Sequence, residues 1–113
     1  MFKYLCVICL SLFITACKPS DEEMIKFGES LVKQSLKDPE SAKFNSFYRQ
    51  FGDGVGYVCG TVNAKNSYGG YVGNRNYYVH LTVKDGKVVD NSPVKIIDEK
   101  DDKGEANFNS ICQ

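Results

Sequence analysis

Apolar residues along this chain follow three different rhythms. From Tyr4 to Ile14 they form a nearly unbroken run, interrupted only by Cys6, Cys9 and Ser11. From Met24 to Leu36 they recur at steps of three and four, as Met24, Ile25, Gly28, Leu31, Val32 and Leu36, which is the stripe of an amphipathic helix. From Val55 to Val62, and again from Tyr77 to Val83, they alternate. In the first of these stretches Val55, Tyr57, Cys59 and Thr61 face one way, and Gly56, Val58, Gly60 and Val62 the other. In the second, Tyr77, Val79, Leu81 and Val83 stand opposite Tyr78, His80 and Thr82. Glycines concentrated on one face of a strand predict close approach by another backbone or by the helix.

Punctuation between these stretches sets their limits. Ser20-Asp21-Glu22-Glu23 has the form of a capping box, and its three acids suit the positive end of a helix dipole. Asp38-Pro39 stops the helix, because the residue before proline is pushed out of helical space. Pro39 to Ala42 then reads as a short turn capped by Asp38. Lys43 to Phe51 reads as a strand without clean alternation, followed by a turn at Gly52-Asp53-Gly54. Lys84-Asp85-Gly86-Lys87 predicts a type I′ hairpin, with Lys87 to Asp90 as the returning strand. Pro93 marks an edge or an exit, Val94 to Ile97 a last short strand, and Asp98 to Glu105 a solvated loop. Phe108, Ile111 and Cys112 are spaced for a short helix over Glu105 to Cys112. The fold class expected is α+β: an N-terminal amphipathic helix packed on a small antiparallel sheet of three to five strands, with one disulfide.

The first rhythm belongs to something other than this fold. Residues 1–16 carry Lys3, then an apolar run about half as long as the roughly 20 residues a membrane-spanning helix needs. A charged start, a short apolar core and small residues at its end are the features of an export signal. Ile14-Thr15-Ala16-Cys17 resembles the lipobox of bacterial lipoproteins. The resemblance implies lipidation of the Cys17 thiol, cleavage before Cys17 and attachment to a membrane. The expected organisation is a signal peptide at 1–16, a lipidated cysteine and short linker at 17–19, and one small domain at 20–113. Lys18 is not the aspartate associated with inner-membrane retention in enteric bacteria, so in a Gram-negative host the resemblance favours the periplasmic face of the outer membrane.

Charge and cysteine count narrow the rest. Without Lys3 the chain keeps 13 of its 14 basic side chains against 14 acidic ones, so no basic excess recommends nucleic acid as a partner. Cys6 and Cys9 leave with the signal and Cys17 is consumed by lipid. Cys59 and Cys112 remain, in a compartment where disulfides persist, and are expected to bond. A nucleophilic thiol is the competing reading for that pair.

Candidate chemistry is sparse, and no cofactor is expected. His80 is the single histidine, and a general base also needs a nucleophile and an orienting partner. An enzymatic reading would set His80 with Tyr78 or a nearby carboxylate; a structural or solvent-facing histidine accounts for it more simply. The acidic run Asp98, Glu99, Asp101, Asp102 and Glu105 suggests calcium superficially. It lacks the glycine and the bidentate glutamate of an EF-hand loop, and no metal site is expected. The 63–76 loop is richer. Tyrosine supplies broad amphipathic contact at low entropy cost, with asparagine and glycine as adaptable partners. Tyr68, Tyr71, Asn74 and Arg75 are the residues expected to recognise a protein or glycan, although any strand connection also favours glycine and asparagine.

LKDPESAKF at 36–44, followed by VCGTVNAKNSYGGYVG at 58–73, resembles a family of small exported bacterial proteins with no assigned activity. The resemblance covers about residues 31–83 and implies a shared fold. Related chains often continue past Gly73 with an apolar or aromatic segment, where this one has Asn74-Arg75-Asn76. The function expected is a non-enzymatic, membrane-anchored binding module for an envelope protein or glycan. The alternative is an inhibitor or phage-exclusion lipoprotein that blocks a hydrolase or receptor.

Overall fold

The computed structural model describes residues 18–113; the expected leader at 1–16 and the expected lipidation at Cys17 lie outside the described residues. The described residues form an α+β architecture with two α-helices and a five-stranded antiparallel sheet. Helix α1 spans Asp21–Gln34 and a 3-10 turn spans Pro39–Ser41. The strands are β1 (Lys43–Gly52), β2 (Val55–Asn63), β3 (Arg75–Lys84), β4 (Lys87–Asn91) and β5 (Lys95–Ile96), and helix α2 spans Asp102–Cys112. Strands β1 to β4 follow one another across the sheet, while β5 pairs with β3 at Tyr77 and Tyr78, further along the edge that β4 also uses.

Helix α1 begins where its cap dictates. The Ser20 hydroxyl accepts from the Glu23 amide at 3.2 Å. The return bond expected of a capping box, from the Ser20 amide, is replaced by the Ser20 hydroxyl reaching Glu23 Oε1 at 3.4 Å. The helix ends earlier than Asp38-Pro39 would require. Ser35 caps it by giving both its amide and its hydroxyl to the Val32 carbonyl. Leu36 still packs against the core from the turn beyond.

One face of the sheet is covered by α1. Met24 and Val32 join Val58, Val62, Tyr77, Val79, Leu81 and Val83 in the larger core cluster. Gly28 is what lets the helix lie so low. A β-carbon there would fall 2.5 Å from Val58 Cβ. The other face carries a smaller cluster of Cys59, Ile97, Phe108 and Cys112, and α2 is pinned to β2 by the Cys59–Cys112 disulfide with a Cα separation of 6.0 Å. The sheet is therefore sandwiched unequally, by α1 across β1 to β3 and by α2 across β2 and β3.

The acidic stretch differs from the solvated loop expected of it. Asp101 caps α2 through a 2.8 Å bond from the Gly104 amide, and the helix starts at Asp102 rather than at Glu105. The hairpin has the geometry its sequence predicts, with positive φ at both Asp85 (54°) and Gly86 (74°).

Strand polarity gives the molecule two distinct ends. At one end lie the start of α1, the β1–β2 turn and the β3–β4 hairpin. Pro19 touches this end, its Cγ lying 3.6 Å from where a β-carbon on Gly54 would be, and the Val83 amide donates to the Gly54 carbonyl at 2.7 Å. At the other end lie the last turn of α1, the end of β2, the long loop and the start of β3. The nine residues of β2 separate the two by about 30 Å.

Candidate functional site at the loop end of the sheet

The loop between β2 and β3 is shorter than the 63–76 reading and is held by its own bonds. Thr61 pairs with Asn76 and Val62 with Arg75, so the ladder absorbs the last two loop residues into β3. Within the loop Lys65 and Tyr71 form an isolated bridge, the Val72 amide donates to the Ala64 carbonyl, and the Asn66 amide donates to the Gly70 carbonyl. Asn66 Oδ1 accepts from the amides of Tyr68 and Gly70, and Asn63 Oδ1 from that of Gly73. Asparagine here works on the local backbone, closing a small hairpin whose tip is Ser67 to Gly69.

The four predicted recognition residues fall into different positions. Tyr68 crowns the tip, 97% exposed. Tyr71 is turned back toward the body: its hydroxyl donates to the Ser41 carbonyl at 3.0 Å. The ammonium groups of Lys43 and Lys65 stand 4.7 and 5.5 Å from its ring centroid. Asn74 is exposed, and Arg75 is half-exposed and paired with Asp98 at 2.9 Å. Among the described residues no side-chain bond holds Tyr68 or Asn74, whereas Tyr71 and Arg75 brace the loop.

Two clefts flank this loop, and sequence reasoning missed both. The first, of about 300 Å³, lies between the end of α1 and the loop. Its floor is Leu36, Val62, Ala64, Val72 and Ile96, and its charged side chains are Lys37, Lys65 and Arg75, all cationic. The second, of about 350 Å³, lies on the α2 side and gathers Asp98, Glu99, Asp101, Asp102 and Glu105 around Arg75 and Asn76. Several of its carboxylates are engaged: Asp98 with Arg75, Glu105 with the Asn76 amide group at 2.9 Å, and Asp101 with Lys95 at 3.0 Å. The bond from the Gly104 amide, then Lys95, holds Asp101 below the usual carboxylate range, and Asp101 in turn raises Lys95.

His80 lies far from the loop, half-buried on the α2 side of the sheet. Its ring meets Tyr57 edge-to-face at 4.9 Å, and Tyr57 meets Tyr78 at 6.2 Å. The backbone of His80 is held by Ser92, whose hydroxyl accepts from the His80 amide at 2.9 Å. Among the described residues no side chain hydrogen-bonds the imidazole, and no three histidine, cysteine or carboxylate groups converge as metal ligands. Comparison with known proteins finds no matching family model, no matching curated protein and no matching solved structure.

Proposed function

We propose that this protein is a lipid-anchored module of the bacterial envelope that binds a protein or glycan through the tip of its 63–76 loop. Strand polarity carries the reading. Pro19 adjoins the turn end of the sheet, and the loop occupies the opposite end about 30 Å away. A lipid on Cys17 is separated from Ser20 by only two residues, and three residues span at most about 10 Å. An anchor there seats the turn end at the bilayer and turns Tyr68 outward. The lipobox resemblance and the export signal supply the anchor, and the internally bonded loop supplies a preorganised contact surface.

A photoreactive amino acid at position 68, in cells carrying the full chain, tests the binding role. Adducts of defined mass from position 68 are expected, with none from position 85 in the opposite hairpin. The Tyr68→Ala protein should compete poorly for the same adduct while unfolding at the parent temperature. Absence of any adduct at 68, or equal adducts at both positions, removes the loop from the account.

A further inference from the structure

The cleft beside the loop has a composition that recognition by Tyr68 leaves unused. We propose that it binds a saturated acyl chain of about ten carbons with a terminal carboxylate, the chain on the apolar floor and the carboxylate between Lys37 and Lys65. This goes beyond the anchoring and loop-binding reading and depends on neither.

Size, polarity and charge point the same way. A volume of about 300 Å³ equals roughly ten water volumes, and a methylene has similar bulk. The floor of Leu36, Val62, Ala64, Val72 and Ile96 offers almost nothing to a hydrogen-bonding ligand. A sugar or a peptide backbone laid there would leave its own polar groups unpaired, whereas an alkyl chain has none to satisfy. No acidic side chain lines the cleft. Among the described residues Lys37 and Lys65 have no ion-pair partner, while Arg75 is committed to Asp98. Lys65 is positioned by the fold, since its amide donates to Ser41 Oγ at 2.8 Å and its ammonium stands over Tyr71. An anion entering this end is drawn to the Lys37 side and repelled by the carboxylates across the loop.

The full chain in lipid nanodiscs, labelled with decanoate carrying a diazirine at its terminal carbon and mapped by peptide mass, tests this. Saturable adducts are expected on residues 31–37 or 62–72. Unlabelled decanoate should displace them at least tenfold better than decanol, and each methylene removed from the competitor should weaken displacement about fourfold, the equivalent of about 0.8 kcal/mol. The double variant Lys37→Ala/Lys65→Ala, the first position exposed and the second half-buried, should weaken decanoate at least fivefold and leave decanol unchanged. Val72→Asp should abolish the adducts. Adducts that fail to saturate or that map elsewhere overturn the proposal. So does equal displacement by decanol, or displacement by a soluble chito-oligosaccharide or an acidic peptide in place of decanoate.

Discussion

Tyr77 and Ser46 sit two strands apart, yet their hydroxyls meet, because the strand between them carries glycine at position 60. Ser46, Gly60 and Tyr77 share one row across β1, β2 and β3. The Ser46 hydroxyl donates to Glu29 Oε2 at 2.7 Å, so the Tyr77 hydroxyl is the donor to Ser46. The tyrosine is fully buried and the chain of bonds ends on a helix carboxylate, tying α1 to the sheet by a polar route through an apolar core.

Burial, with the negative charge of Glu29 nearby, pushes the Tyr77 hydroxyl up to about 12 from an ordinary 10.0. The proton is bound more tightly in the folded state, so the stabilisation is complete below pH 10 and is lost as pH rises from 10 towards 12. Urea unfolding across that range should show stability falling in the parent protein. The Tyr77→Phe variant should start about 1 kcal/mol lower at pH 8 and fall less steeply above pH 10.

Gly28→Ala should destabilise, which is the reverse of what helix propensity alone gives. The alanine methyl would lie within 2.7 Å of three Val58 carbons, and overpacking of this kind costs about 1–3 kcal/mol. Propensity returns at most about 1 kcal/mol. In the double variant Gly28→Ala/Val58→Ala the two losses should fall short of additive, since the second deletes two of the three carbons the first collides with, Cγ1 and Cγ2. Denaturant midpoints of the four proteins settle the sign.

Reduction of Cys59–Cys112 reopens a loop whose closure is worth about 4 kcal/mol in the chain-entropy model. Cys112→Ser should lower the denaturant midpoint accordingly and increase amide exchange throughout α2, which is otherwise held to the sheet by Phe108 and Ile97. Exchange in β2 and β3 beneath α1 should rise less.

Acid should loosen α2 first. Asp101 is held below its usual range by the Gly104 amide and then by Lys95, so its contribution is present at neutral pH and declines as pH falls through that depressed value. The Gly104 amide should exchange faster on acidification, and Asp101→Ala should show the fast rate at every pH.

The helix stripe, the alternating strands and the Asp-Gly hairpin were legible in the sequence because each is a local pattern with one physical meaning. The glycine face of β2 also announced close approach, and Gly56 and Gly60 do abut the Arg49 and Asn45 carbonyls of β1. Strand β1 was harder to read because Phe44 and Tyr48 face α1 with Ser46 between them, while Phe47 and Phe51 stand exposed on the opposite face. Ser46 interrupts the apolar row and is a bonding partner for Tyr77. The run at 98–105 read as solvated because charge density concealed one capping residue, Asp101. Of the loop residues, composition could not separate Tyr68 from Tyr71, whose roles are set by the distant carbonyl of Ser41. The apolar cleft was invisible for the same reason: Leu36, Val62, Val72 and Ile96 come from four separate segments.

The proposed role rests on a lipid anchor that seats the domain on a membrane in one orientation. The protein has no tryptophan, so Phe51→Trp at the turn end and Tyr68→Trp at the loop tip each provide a single reporter. Full chains purified from envelopes and placed in nanodiscs of brominated lipid should show tryptophan 51 quenched and tryptophan 68 bright. Equal quenching of both, or quenching of neither, would contradict an anchor at Cys17 that holds the loop away from the bilayer.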